Sequence, residues 1–292
     1  MTHQIHLFKT RDQHTLRFYH WPNTATAPTL HWAHANGFNA RTYLPLLNML
    51  FPHFNVWAWD MRGQGHSREA AQAKGFQGWA TYYQDLIEWL DAQPEPVWLA
   101  GHSIGATTSL AAASARPHKV KGLVLAEPVL LSRQQGLFVQ MAHWFGFSHK
   151  IPLAAAAARR KDRFASREDA FANYRQKKAF ATWSDEWLAA YTTHGFLDNP
   201  DGHVELACPP QWEALTFQHT EPNALRWLKN PGCPVTILAG EHGSTFPTAA
   251  QARIQKALPQ ARIERVPNTT HFLPMESTEL LGKQITELST RL

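Results

Sequence analysis

The chain has 292 residues, 44% hydrophobic and 17% charged, with a formal net charge of +5. That apolar share supports a buried core and excludes a disordered chain, and the lack of any run of about 20 apolar residues excludes a membrane-spanning helix. Two cysteines, Cys208 and Cys233, are too few for a disulfide scaffold or a Cys-rich zinc site, so two free thiols in a reducing cytosol are expected.

The first residues, Met1-Thr2-His3-Gln4-Ile5-His6, do not place a basic segment before an apolar one, so the reading is a cytoplasmic protein without a secretory signal. Seventeen histidines are many, but none is spaced as a metal ligand set. His31 and His34 lie three apart in a strand-like run, which directs them to opposite faces, and neither a metal nor another cofactor is expected. Charge is uneven. Residues 150–180 hold nine Lys/Arg against three acids, net +6, which leaves −1 for the rest of the chain. A solvated helix face accounts for such a cluster, and so does a surface that attracts an anionic lipid or carrier partner. The segment lacks the aromatic spacing of base stacking and matches no groove-binding motif, so nucleic acid is not an expected partner.

In chain order, Ile5–Phe8 and Thr15–His20 read as strands joined by a turn at Arg11-Asp12-Gln13, and Leu30–Ala33 as a third strand. A helix over Tyr43–Leu50 and a strand over Asn55–Trp59 follow. Between Trp79 and Leu90 the apolar residues recur at helical spacing, and Pro94 and Pro96 end that helix. Val97–Ala100 reads as a short strand, Ile104–Ala115 as a small-residue helix and Val120–Ala126 as the next strand. From Leu30 onward strand and helix alternate, the mark of a parallel sheet covered on both faces.

The alternation then stops. No convincing strand is found between Val129 and Asn230; the helical stretches are Gly136–Phe145, Pro152–Phe164, Arg167–Phe180, Asp185–Tyr191 and Pro210–Phe217. It resumes with a strand Val235–Ala239, a helix Thr248–Leu258, a strand Arg262–Val266 and a closing helix from Ser277 to Leu288. The expected organisation is an α/β core made of residues 1–128 and 231–292, with residues 129–230 inserted as a helical cap. The insertion's aromatic residues include Trp144, Phe145, Phe147, Trp183, Trp187, Tyr191, Phe196, Trp212, Phe217 and Trp227. Most are expected to pack cap against core and a few to line a pocket.

Gly101-His102-Ser103-Ile104-Gly105 matches G-x-S-x-G between a strand and a small-residue helix, the context that motif requires. A serine there sits on a sharp turn with its hydroxyl projecting above the sheet, and the glycines leave room for neighbouring backbone. A serine hydroxyl needs a base to become a nucleophile. His271, between the last strand and the last helix, gives the chain order Ser then His that such a sheet demands. The developing oxyanion needs N–H donors. Ile104, directly after the serine, is one, and Phe38 in the His34-Ala35-Asn36-Gly37-Phe38 loop is the second.

These pieces, with Asp60-Met61-Arg62-Gly63-Gln64-Gly65-His66-Ser67, resemble the α/β-hydrolase superfamily in its serine-hydrolase branch with a helical cap. The likeness spans residues 15–127 and 232–290. It implies a mostly parallel eight-stranded sheet flanked by helices, with the 60–67 segment a structural turn. A serine nucleophile argues against the aspartate-dependent haloalkane dehalogenases and epoxide hydrolases of the superfamily. In most relatives the acid partner of the histidine is an Asp three residues past a glycine that ends the next-to-last strand; here that position reads as Gly243. Glu127, ending the strand after the nucleophile helix, is the candidate acid, with Glu241 the alternative.

The resulting expectation is hydrolysis of a small-molecule carboxylic ester with an apolar acyl or aryl group. The same machinery also fits a thioesterase, a lysophospholipase or monoacylglycerol hydrolase, or a carbon–carbon bond hydrolase. A ligand-binding protein on a hydrolase scaffold without turnover is the alternative of another class. Residues lining the substrate pocket are not legible.

Overall fold

The computed structural model of the chain describes residues 2–229 and 231–290. The elements before the insertion are β1 (Gln4–Lys9), β2 (Thr15–Trp21), β3 (Thr29–Ala33), α1 (Leu44–Leu50), β4 (Asn55–Trp59), α2 (Trp79–Asp91), β5 (Val97–His102), α3 (Ile104–Ala115) and β6 (Val120–Ala126). The insertion holds α4 (Arg133–Trp144), α5 (Pro152–Ala157), β7 (Arg163–Phe164), α6 (Arg167–Arg175), α7 (Asp185–His194), β8 (Phe196–Asp198), β9 (Val204–Leu206) and α8 (Pro210–Gln218). β10 (Val235–Gly240), α9 (Thr248–Ala257), β11 (Arg262–Val266), α10 (Leu273–Glu276) and α11 (Thr278–Thr290) complete the chain.

The main sheet has eight strands in the order β1-β2-β4-β3-β5-β6-β10-β11, antiparallel at β1–β2 and β2–β4 and parallel elsewhere. β5 is buried along its whole length, as a central parallel strand covered on both faces must be. α3 is mostly Ala, Ser, Thr and Gly and is buried almost all round, which lets its backbone approach the sheet closely.

The register explains where loops gather. Ala33 pairs with Gly101, His102 with Ala126, and Ala126 with Leu238. β3, β5, β6 and β10 therefore end together, and the segments after them crowd one edge, where α/β sheets place their ligands.

The insertion departs from the all-helical expectation. β7, β9 and β8 form a three-stranded antiparallel sheet. Strands of two or three residues are too short to show an alternating pattern, so sequence periodicity could not reveal them. The helix read over Pro152–Phe164 ends at Ala157, because Arg160 turns inward to Glu213 and Arg163–Phe164 pairs with β9. The helix read over Arg167–Phe180 ends at Arg175 and resumes as a 3-10 turn over Lys178–Phe180. Trp183, Trp187, Leu188 and Tyr191 of the insertion share one apolar cluster with Trp32, Tyr43 and Leu273 of the flanking segments. Cys208 and Cys233 are both free thiols.

Candidate active site

Ser103 occupies the turn between β5 and α3 with φ +57° and ψ −121°, a conformation a side chain adopts only under constraint. The constraint is packing. A Cβ on Gly105 would lie 2.2 Å from the Ala33 carbonyl oxygen, and one on Gly101 would lie 2.7 Å from the Gly105 backbone. Only glycine at both positions lets strand, turn and helix meet. The Ser103 N–H donates to the Ala126 carbonyl at 3.0 Å, tying the turn to β6.

His271 Nε2 lies 3.0 Å from Ser103 Oγ, and its Nδ1 lies 3.1 Å from Glu127 Oε2. Serine, imidazole and carboxylate thus form one unbroken chain of hydrogen bonds. With Glu127 accepting from Nδ1–H, Nε2 carries the lone pair that faces the hydroxyl. Glu127 is fully buried. Burial opposes its ionisation, but hydrogen bonds from His271, Ser244 and the Gly240 N–H outweigh that penalty and hold its carboxyl below the usual range.

Of the two acids read from the sequence, the structure brings Glu127 to the imidazole. Glu241 instead accepts from the Asn268 N–H at 2.9 Å and lies 3.5 Å from His242, with about half its side chain in solvent. The segment that begins at the Gly240–Gly243 turn still serves the acid. Gly240 N–H, Ser244 Oγ and Thr245 N–H all donate to the Glu127 carboxylate. Thr245 Oγ1 also lies 3.2 Å from His271 Nδ1. In the sequence nothing but adjacency to Gly243 marks Ser244 and Thr245.

Ile104 opens α3, so its N–H has no acceptor within the helix and stands beside the serine. The second expected donor is engaged. Phe38 N–H closes a turn on the Ala35 carbonyl at 3.2 Å, with Gly37 at φ +82° supplying the left-handed residue that such a turn needs. Gly37 N–H donates to Gln64 Oε1 at 2.8 Å.

The loop that carries these amides is braced from below. His34 Nε2 accepts from Met61 N–H at 2.9 Å, so its Nδ1–H donates to the Ala35 carbonyl. His34 lies just past β3 and not within it, contrary to the strand reading. Asn36 Nδ2 donates to the Glu213 carbonyl, and buried Asp60 accepts from the Ala40 and His66 N–H groups. The 60–67 segment therefore supports the loop through Asp60 and Gln64.

A second buried chain runs behind the serine. Tyr43 Oη accepts from Ala35 N–H at 3.2 Å and donates to His102 Nδ1 at 2.7 Å, and His102 Nε2–H donates to the His271 carbonyl at 2.7 Å. Burial, with His271 close by, holds the His102 pKa well below the usual histidine value, so the ring is neutral and this donor pattern is fixed. The motif's x position thereby connects the 34–38 loop to the loop of the imidazole.

Aromatic rings flank the site. Phe38 lies 6.0 Å from Trp183 and 5.4 Å from Tyr191, and Trp183 lies 5.2 Å from Phe272, the neighbour of His271. Other insertion aromatics do different work. Trp212 donates to the Arg62 carbonyl and Trp187 to Thr278 Oγ1, whereas Trp144 and Phe145 are exposed to solvent.

The sequence profile of the alpha/beta hydrolase fold family matches residues 34–278, and the chain belongs to that family. Monoglyceride lipase of Rattus norvegicus is 29% identical over 137 residues, which is 44% of each protein; the chain thus matches less than half the length of that relative. Among solved structures, E-2-(acetamidomethylene)succinate hydrolase superposes with a TM-score of 0.81 at 20% identity, covering 99% of this chain and all of its own. The thioesterase domain from the curacin biosynthetic pathway superposes with a TM-score of 0.77 at 18% identity, covering 98% and 100%. At these identities the structures speak for the fold.

Proposed function

We propose that the protein is a serine hydrolase of carboxylic esters with an apolar acyl or aryl group. The observation that carries this reading is the Ser103–His271–Glu127 chain, with contacts of 3.0 and 3.1 Å. Ser103 Oγ attacks the ester carbonyl as its proton passes to His271 Nε2. The Ile104 N–H receives the oxyanion, joined by the Phe38 N–H when its long turn bond is shared with the substrate. The tetrahedral adduct collapses as His271 protonates the leaving alcohol. Water, deprotonated by the same imidazole, then attacks the acyl-enzyme and releases the acid. Glu127 stabilises the imidazolium in both halves without itself taking the proton. In this reading residues 129–230 act as the cap, and Phe38, Phe180, Trp183, Tyr191 and Phe272 form the wall for the apolar group.

Activated esters of rising acyl length, with a thioester of one matched acyl group, test the proposal. The expected result is a burst of alcohol followed by steady turnover, an optimum at an apolar chain, and loss of both phases in Ser103→Ala. Turnover that persists in Ser103→Ala, or no turnover of any member, overturns it; preference for the thioester moves the substrate class and keeps the mechanism.

A further inference from the structure

α4 presents an unpartnered apolar face. Successive residues of a helix are turned by about 100°, which sets Gly136, Val139 and Ala142 on one side and Leu137, Phe138, Met141 and Trp144 on the other. The first side is buried. A Cβ on Gly136 would lie 2.4 Å from the Pro222 carbonyl oxygen, and His143 next to it hydrogen-bonds the Gln218 carbonyl at 2.7 Å. The other side, with Phe145 and with Leu153 of α5, is 37% to 74% exposed. Isolated exposed apolar residues are ordinary, but an apolar arc opposite a buried one on a single helix marks an interaction surface.

Charge identifies the partner. Residues 128–161 contain Arg133, Lys150, Arg159, Arg160 and Lys161 and no acid. Arg160 is committed to Glu213, Tyr174 and Tyr191. Among the described residues Arg133, Lys150, Arg159 and Lys161 make no ion pair. Further along the basic segment, Arg163, Arg167 and Arg175 are paired with Asp201, Asp198 and Asp185. At the N-terminal end of α4 a groove of about 340 Å³ is lined by Arg133, Arg226 and Arg253 beside Leu137, with Glu221 as its one acid among the described lining residues. A second copy of the chain would bring the same cations face to face. No helix among the described residues is long and apolar enough to cross a membrane.

We propose that the outer face of α4 docks on an anionic lipid surface, with Trp144 and Phe145 entering the interface and Arg133 and Lys150 meeting the headgroups. The proposal stands apart from the ester-hydrolase reading, because its test reads sedimentation and not turnover. The full chain is spun with vesicles of phosphatidylcholine, or of equal parts phosphatidylcholine and phosphatidylglycerol, and size-exclusion chromatography reports its oligomeric state. Expected are pelleting with the mixed vesicles and release at about 0.5 M salt. Binding should be at least about tenfold weaker in Trp144→Ser/Phe145→Ser and in Arg133→Glu/Lys150→Glu, both with wild-type melting curves. The charge variant keeps the test valid should the apolar one fail to fold. Equal pelleting by wild type and folded variants overturns the proposal. So does the absence of pelleting, or a dimer that Trp144→Ser/Phe145→Ser dissolves while vesicles stay unbound.

Discussion

At the scale of single residues, the two glutamates at strand ends separate by what they touch. Glu127 is buried against His271 Nδ1, while Glu241 caps the Asn268 N–H at the surface. Glu127→Gln keeps the shape but removes the charge proposed to stabilise the imidazolium. It should lower kcat by about 10²- to 10⁴-fold with KM nearly constant, whereas Glu241→Gln should stay within about twofold of wild type. Steady-state kinetics on one activated ester decides between them, and comparable losses in both would remove Glu127 from its assigned role. Serine and histidine were readable because one sits in a motif with steric content and the other in a loop of fixed chain order. The acid was readable only as a choice between two, since chain order does not say which strand-end side chain turns toward the imidazole. Phe38 was legible as a loop position, but the turn bond its amide makes to Ala35 depends on the folded loop.

At the scale of elements, His102 connects loops that sequence separation hides. Its ring joins the Tyr43 hydroxyl, and through it Ala35 N–H, to the His271 carbonyl. We assign it as a positioning residue. His102→Leu should lower kcat by about tenfold to a hundredfold while KM holds, since a small misplacement of the base is costly. His102→Gln, which can both accept and donate, should recover much of the loss. A rise in KM alone, or no rescue by Gln, would show that the ring merely fills space. The parallel strands were legible because each is a run of apolar residues bounded by turn or helix signals. The strands of the insertion were not, because two or three residues carry no period and their pairing is non-local.

At the scale of the whole molecule, buried histidines set the response to acid. Burial lowers the pKa of His31 to about 3 and of His34 to about 4, and holds that of His102 well below the usual value. Their unfolded counterparts titrate near 6.5, so below that pH the unfolded chain binds protons that the folded chain refuses. Stability is therefore full above about pH 6.5 and falls as the pH drops, by about 1.4 kcal/mol per pH unit for each histidine. Urea unfolding at pH 7.5 and 5.5 measures this loss. Neither ring nitrogen of His31 has a hydrogen-bond partner among the described residues, and the ring lies among Phe18, Trp59 and Trp89. His31→Phe should accordingly flatten the dependence by one histidine's share; an unchanged slope would contradict burial as its cause.

Hydrolysis at this site requires that His271 activate Ser103. A fluorophosphonate probe followed by peptide mass spectrometry reads that directly. Wild-type protein should carry the phosphonyl group on Ser103, and His271→Ala should be labelled at least about a hundredfold more slowly. A folded wild-type chain left unlabelled at Ser103, or labelled equally fast without the imidazole, would contradict activation of Ser103 by His271.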